Sequence, residues 1–427
     1  MKKLMNFIKS RKNFIIFSLL KVLISILGLI TNIFIIRKLT VNEYGIFSVA
    51  FMLIGLVTTF GFSWSSSSIL YYGSREKAKY GNINKTFWAR NIIIFISLLS
   101  TTLLFLIFKR QINDYVGMEL SFLILIWLYV SVSEDYLSLY FLATKRQVLS
   151  SMLSVTAKII YLILIIFISF DVKTLIILNI ISHATVLLYV FGIDKKDIDK
   201  FEFDKSWFKE VLNFSLWQLF GFSGLYLINF GDTAVIKHFM TTEDVGIYNA
   251  AYKLFAAISG FSYVISSYYA SNISSYFVNN EYKNIRKFFY KERFIILVIS
   301  SLGHFVVMLF AKQVIVILYS ERYLESVKIF NILMIGSIFR YLHVFYMMYF
   351  NTNKKYKMLQ AINIFRAVLN VGLDIIFINF FGLIGPAIAT TTAIIVTTFY
   401  SVVYCEKRIK HICFNGVIQS NDLKTNN

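Results

Sequence analysis

A chain of 427 residues that is 57% hydrophobic, 18% aromatic and only 15% charged is too apolar for a soluble protein, where about 45–50% apolar and 25% charged residues are usual. Its net charge of +20 would suit a nucleic-acid partner if it lay on a polar surface, but the basic residues sit in short connections between apolar runs. A soluble enzyme and a nucleic-acid-binding protein are excluded, and a polytopic, all-α membrane protein is left.

A helix needs about 20 apolar residues to cross the hydrocarbon, and an open sheet cannot pair its backbone there. On that rule twelve spans are predicted, at roughly 13–36, 43–70, 88–108, 119–142, 150–170 and 174–192, then 210–236, 244–274, 291–311, 326–350, 359–380 and 384–404. The first follows a basic start and runs on without a small-residue cleavage site, so it reads as a retained span rather than a signal peptide. Residues 1–192 form an N-terminal six-helix lobe and 193–209 a charged cytoplasmic linker, expected to carry a short interfacial helix with Phe201, Phe203, Trp207 and Phe208. Residues 210–404 form a second six-helix lobe and 405–427 a polar, frayed cytoplasmic tail. The one proline, Pro386, falls at the start of the last span, a position a helix tolerates.

The two lobes repeat. Leu39-Thr40-Val41-Asn42-Glu43-Tyr44-Gly45-Ile46-Phe47 reappears as Met240-Thr241-Thr242-Glu243-Asp244-Val245-Gly246-Ile247-Tyr248, each copy between two long apolar runs. The acid suits a helix N-terminus, where unpaired N–H groups gather. Tyr140-Phe141-x-x-Thr144-Lys145-Arg146 is echoed by Tyr349-Phe350-x-x-Asn353-Lys354-Lys355 at nearly the same offset. An even number of helices per repeat gives both the same orientation, related by an axis along the membrane normal. Roughly 28 of the 43 Lys and Arg residues fall in the N-terminus, the even-numbered connections and the C-terminus, so both termini are expected in the cytoplasm. There the two cysteines, Cys405 and Cys413, stay reduced, and five scattered histidines offer no metal-ligand spacing.

Polar residues recur on single helix faces: Ser18, Lys21, Ser25, Gly28 and Asn32; Ser151, Ser154, Lys158 and Tyr161; Asn249, Lys253, Ala256, Gly260 and Ser267; Asn363, Arg366, Asn370 and Asp374. Helix packing accounts for small and polar members. A charge mid-span costs about 2.5–3.5 kcal/mol on insertion scales and needs a partner or a wet cavity. Lys328 and Arg90, near span ends, are expected to snorkel. Glu134 and Asp135 lie level with Lys158 across a helical hairpin, and Asp232 level with Lys253, so structural ion pairs are expected. Arg340 and Arg366 are level with each other and have no acid partner on their hairpin, since Asp374 is two turns from Arg366, about 12 Å on a straight helix. Two such cations call for an anion or water. Lys21 and Lys253 are weaker candidates for the same role. No nucleotide-binding loop, nucleophile elbow or metal cluster appears, and adjacent Glu134 and Asp135 point apart on a helix.

Three stretches carry a family resemblance: Arg37-Lys38-Leu39-Thr40-x-x-Glu43-Tyr44-Gly45-Ile46-Phe47-Ser48, Gly231-Asp232 with Val245-Gly246-Ile247-Tyr248-Asn249-Ala250-Ala251-Tyr252-Lys253, and Phe381-Gly382-Leu383-Ile384-Gly385-Pro386-Ala387. With them the chain resembles Wzx-type O-antigen and polysaccharide flippases of the multidrug/oligosaccharidyl-lipid/polysaccharide exporter superfamily. It departs in having Thr233 where the family usually carries a basic residue after the seventh-span aspartate. The resemblance implies a MATE-like, V-shaped bundle of two six-helix lobes in the bacterial cytoplasmic membrane. Its substrate would be an undecaprenyl-diphosphate-linked oligosaccharide, moved outward by alternating access by a single chain working beside a polysaccharide polymerase, without a cofactor. On that reading Lys21, Lys253, Arg340 and Arg366 neutralise the diphosphate, and Ser25, Asn32, Asn249, Asn363 and Asn370 face the sugars. Glu134, Asp232 or Asp374 would serve proton or sodium coupling or gating. A cation-coupled multidrug antiporter would want more acids than bases in the spans, where bases lead here. A polysaccharide polymerase or ligase would want a longer external loop.

Overall fold

The computed structural model describes residues 12–191, 201–353 and 355–425; the basic start, the linker residues 192–200 and Lys354 lie outside the described residues. Fourteen helices follow in order: α1 (Lys12–Lys38), α2 (Val41–Tyr80), α3 (Asn84–Ile107), α4 (Lys109–Val116), α5 (Ser121–Ala143), α6 (Gln147–Phe167), α7 (Val172–Phe191), α8 (Lys205–Phe239), α9 (Thr242–Val278), α10 (Tyr282–Leu309), α11 (Ala311–Leu318), α12 (Ser326–Thr352), α13 (Tyr356–Phe381) and α14 (Gly385–Thr425). No strand occurs among the described residues. Nine helical stretches among them are long and apolar enough to cross a membrane, one of which, Lys357–His411, joins parts of α13 and α14. Each segment expected to span falls on one of the long helices, and α4 and α11 occupy connections. The chain is a multi-pass membrane protein.

The repeated motifs act as helix boundaries. Thr40 and Glu43 form a reciprocal capping box on α2, and Thr241 and Asp244 form the same box on α9, each satisfying two otherwise orphaned N–H groups. The second repeat is a stop. Arg146 N–H donates to Phe141 O and Lys355 N–H to Phe350 O, both at 2.7 Å, with Lys145 taking a left-handed φ of 64°. Gly385 opens α14 because a Cβ there would meet Phe377 O at 2.4 Å.

The chain divides into two compact units, Met1–Tyr226 and Leu227–Asn427. Within the first, α5, α6 and α7 pack on one another, and α1 packs along α6; within the second, α14 packs on α12 and α13 as α7 does on α5 and α6. The division falls inside α8, later than the expected lobe boundary, because the first turns of α8 are anchored in the first unit. Trp207 and Phe208 pack against Tyr72, Ala89 and Ile93. Lys85 Nζ reaches Asp204 Oδ2 at 3.0 Å and Glu202 Oε1 at 3.4 Å. Among the described residues no separate interfacial helix carries the four aromatics: Phe201 and Phe203 precede α8, and Trp207 and Phe208 belong to its first turn. The tail expected to fray is also helical, since α14 runs on to Thr425 with no proline to stop it.

In α2 the regular ladder breaks twice, into π-turns at Thr58–Phe62 and Ile69–Gly73, with a 3-10 turn at Ser63–Ser65. Serine hydroxyls take up backbone carbonyls there: Ser65 Oγ donates to Phe62 O at 2.9 Å and Ser68 Oγ to Ser65 O at 2.6 Å. Such back-bonding bends helices.

Candidate functional site

In the second unit four helices bring polar groups to one buried point. Asp232 of α8 and Asp374 of α13 are 4% and 0% exposed. Gly231 makes the approach possible, since a Cβ there would meet Val371 Cγ2 at 2.8 Å. The Asn370 amide donates to Asp232 Oδ1 at 2.6 Å and to Asp374 Oδ2 at 3.1 Å. Thr390 Oγ1 of α14 donates to Asp232 Oδ2 at 2.8 Å, and the Tyr248 hydroxyl of α9 donates to the same oxygen. Asp374 Oδ1 has no partner. Asp232, expected level with Lys253, is held by this network.

A cavity of about 20 Å3 adjoins the two aspartates, lined by Ile228, Tyr252, Phe255, Arg340, Arg366, Asn370, Thr390 and Ile394. Asn370 and Thr390 thus touch both the carboxylates and the arginine pocket. Arg340 and Arg366, expected as a pair, are brought together and act on each other electrostatically. Arg340 donates from Nη2 to the Tyr263 hydroxyl at 3.1 Å, with its guanidinium 5.2 Å from that ring's centroid. Its Nε has no partner, and neither has either nitrogen of buried His343, one turn away on α12. The i, i+3 spacing of Arg340 and His343 was visible in the sequence; the contributions of Tyr248, Tyr263 and Thr390 from other helices were not.

The first unit holds a different set. Buried Glu134 bonds His183 Nδ1 of α7, so the sequence reading found the acid and missed its partner. Lys158 makes no ion pair with Glu134; its Nζ lies 3.5 Å from where a Cβ on Gly28 would stand, filling the gap that glycine leaves in α1. Arg90 does not snorkel. It is 2% exposed, stacked 4.8 Å over the Tyr136 ring. Lys328 is exposed, as snorkelling requires.

Of the other expected residues, Lys21 is exposed, with its Nζ 5.5 Å from the Phe17 ring centroid. Ser25 Oγ donates to Lys21 O at 3.2 Å. Asn32 Oδ1 accepts from the Tyr44 hydroxyl at 3.5 Å while its Nδ2 has no partner. Asn249 accepts from Thr233 Oγ1 at 3.2 Å and donates to Val245 O at 3.0 Å. Lys253 and Asn363 are half-buried.

Helical units built this way, with ionisable groups inside and apolar faces outside, define a membrane transporter fold. The structure is similar to lipid II flippase MurJ in an inward closed conformation, with a TM-score of 0.72 at 18% identity over 95% of this chain and 91% of that one. It is also similar to an inward-facing multidrug resistance MATE family transporter of the MOP superfamily, at 0.66 and 17% over 91% and 95% of the two chains. A probable low-salt glycan biosynthesis flippase, Agl15 of Haloferax volcanii, is 23% identical over 190 residues, which is 44% of this chain and 40% of that relative. Residues 10–270 match the sequence profile described as polysaccharide biosynthesis protein. That is more than half of the chain, which belongs to this family.

Proposed function

We propose that the protein is a flippase that moves an undecaprenyl-diphosphate-linked oligosaccharide, an O-antigen, capsule or related unit, from the cytoplasmic to the external leaflet by alternating access. The observation that carries this reading is the pair Arg340 and Arg366, half-buried in one pocket with no carboxylate bonded to either among the described residues. Like charges held together inside a membrane call for an anion, and a diphosphate supplies two negative groups. Lys21 and Lys253 assist at other heights. Because Asn370, Asn249 and Ser25 are engaged internally, the sugar hydroxyls fall chiefly to Asn32 and Asn363. A pocket of about 20 Å3 holds no more than about one water molecule, so the headgroup enters only after the helices around it move.

Coupling belongs to Asp232 and Asp374. Two carboxylates sharing one amide repel each other, and a proton or sodium ion between them offsets that repulsion. Through Asn370 and Thr390 the cation's arrival changes the wall of the anion pocket. Glu134 with His183 is a second candidate for gating. The chain acts alone in the bacterial cytoplasmic membrane, both termini inside, and passes its product to a polysaccharide polymerase. Replacing both Arg340 and Arg366 by Ala should abolish complementation of a flippase-null strain while the protein remains inserted; full activity of that variant removes the anion site.

A second reading, a cation-coupled multidrug antiporter, is favoured by the buried aspartate pair together with the MATE-like fold. Resistance to cationic drugs conferred by the wild-type chain, with no rescue of the flippase-null strain, would select it.

A further inference from the structure

Arg90 of α3 is a buried cation without a counter-ion in contact. Its Nη2 donates to Ser66 Oγ at 3.1 Å, but Nε and Nη1 have no partner. The Tyr136 ring covers one face at 4.8 Å. Asp135 acts on it at electrostatic range, and no ion pair within 4 Å joins them among the described residues. A buried guanidinium with two nitrogens unpaired destabilises a fold, so packing gives no reason for an arginine there.

Its surroundings are irregular. Ser66 lies between the two π-turns of α2, where the helical ladder is already interrupted, and π-bulges gather at functional sites. Arg90 is six residues into α3, about 9 Å from that helix's start. The last turns of α2 and the first turn of α3 carry Arg75, Lys77, Lys79 and Lys85, the basic end. With that basic end at the membrane surface, as the charge pattern predicts, Arg90 would sit near the edge of a hydrocarbon core about 30 Å thick, within reach of a lipid phosphoryl group.

We propose that Arg90 and Ser66 form a second anion site, which takes a phosphoryl group of a polyprenyl diphosphate lipid when the substrate loads. It lies in the other unit from Arg340 and Arg366. The unpaired Nε and Nη1 supply a planar fork that fits two phosphoryl oxygens, and the Ser66 hydroxyl adds a donor. Access opens by movement of α2 at its bulges. The identity of the lipid rests on the flippase reading; the phosphoryl chemistry does not.

The test is binding by the purified full chain in detergent, titrated with geranylgeranyl diphosphate, inorganic pyrophosphate and phosphatidylglycerol. Arg90→Met is expected to fold, to melt no lower than wild type without ligand, and to weaken diphosphate binding about tenfold or more. Should it fail to fold, Arg90→Lys keeps the charge, lacks the fork and is expected to weaken binding likewise. Equal losses for the lipid and for pyrophosphate identify a phosphoryl site, and a loss for the lipid alone identifies a lipid headgroup site. Phosphatidylglycerol competing as well as the diphosphate overturns the assignment to substrate. Unchanged affinity in both variants overturns the site altogether. In the same assay, Arg340→Ala with Arg366→Ala reports on the other pocket: loss there with Arg90 silent sinks only this inference, and the reverse sinks only the earlier reading.

Discussion

Asp374 carries the sharpest prediction at the scale of single residues. One of its oxygens is orphaned and the other shares the Asn370 amide with Asp232. Replacing it by Asn removes the charge and keeps the shape, so transport should lose its dependence on an imposed proton or sodium gradient while the protein stays folded. Reconstituted vesicles with each gradient applied separately would read this, and undiminished gradient dependence would refute it. The Asp204 carboxyl predicts a pH effect. It is held below the usual carboxylate range, first by the Trp207 backbone N–H and then by the Lys85 ammonium. A depressed folded value means its contribution is complete above the unfolded range, near about 4, and fades as pH falls through the folded value. Asp204→Asn should therefore lower the melting temperature near about pH 7, and the difference from wild type should shrink as pH falls below about 4 toward the folded value. The charged residues themselves were legible, because a charge in an apolar run stands out. Their partners were not: His183 and Thr390 look ordinary in their helices, and nothing local to Asp232 names Asn370, 138 residues on.

Helix ends were the most legible elements. The Thr-x-x-acid pattern announced the starts of α2 and α9, and the structure adds that acid and threonine bond reciprocally. Thr241→Ala should remove about 1 kcal/mol of stability, read as a lowered melting temperature, with Thr40→Ala giving a similar shift; no shift in either would mean that neighbouring packing holds the turn unaided. Gly385→Ala should do more damage, because the clash is with backbone at 2.4 Å and backbone cannot rotate away. The bulges of α2 left no clear trace in the sequence. The serine run from Ser65 to Ser68 hints at competition for backbone carbonyls, yet which carbonyls are taken depends on how α3 and α5 press against it.

For the molecule as a whole, the proposed even count of spans and the distribution of Lys and Arg predict that both termini are cytoplasmic. A fluorescent protein fused after Asn427 should then glow and a phosphatase there stay inactive, whereas a phosphatase inserted after Gly117 should be active; the opposite pattern would invert the proposed direction of transport. The same twin capping boxes that begin α2 and α9 say something about ancestry. Duplication and fusion of a shorter gene would leave such a pair, and would free each half from carrying the chemistry of the other. The first unit holds a glutamate–histidine couple and the second holds aspartates beside arginines, a division of labour that a symmetric pair of identical chains could not sustain.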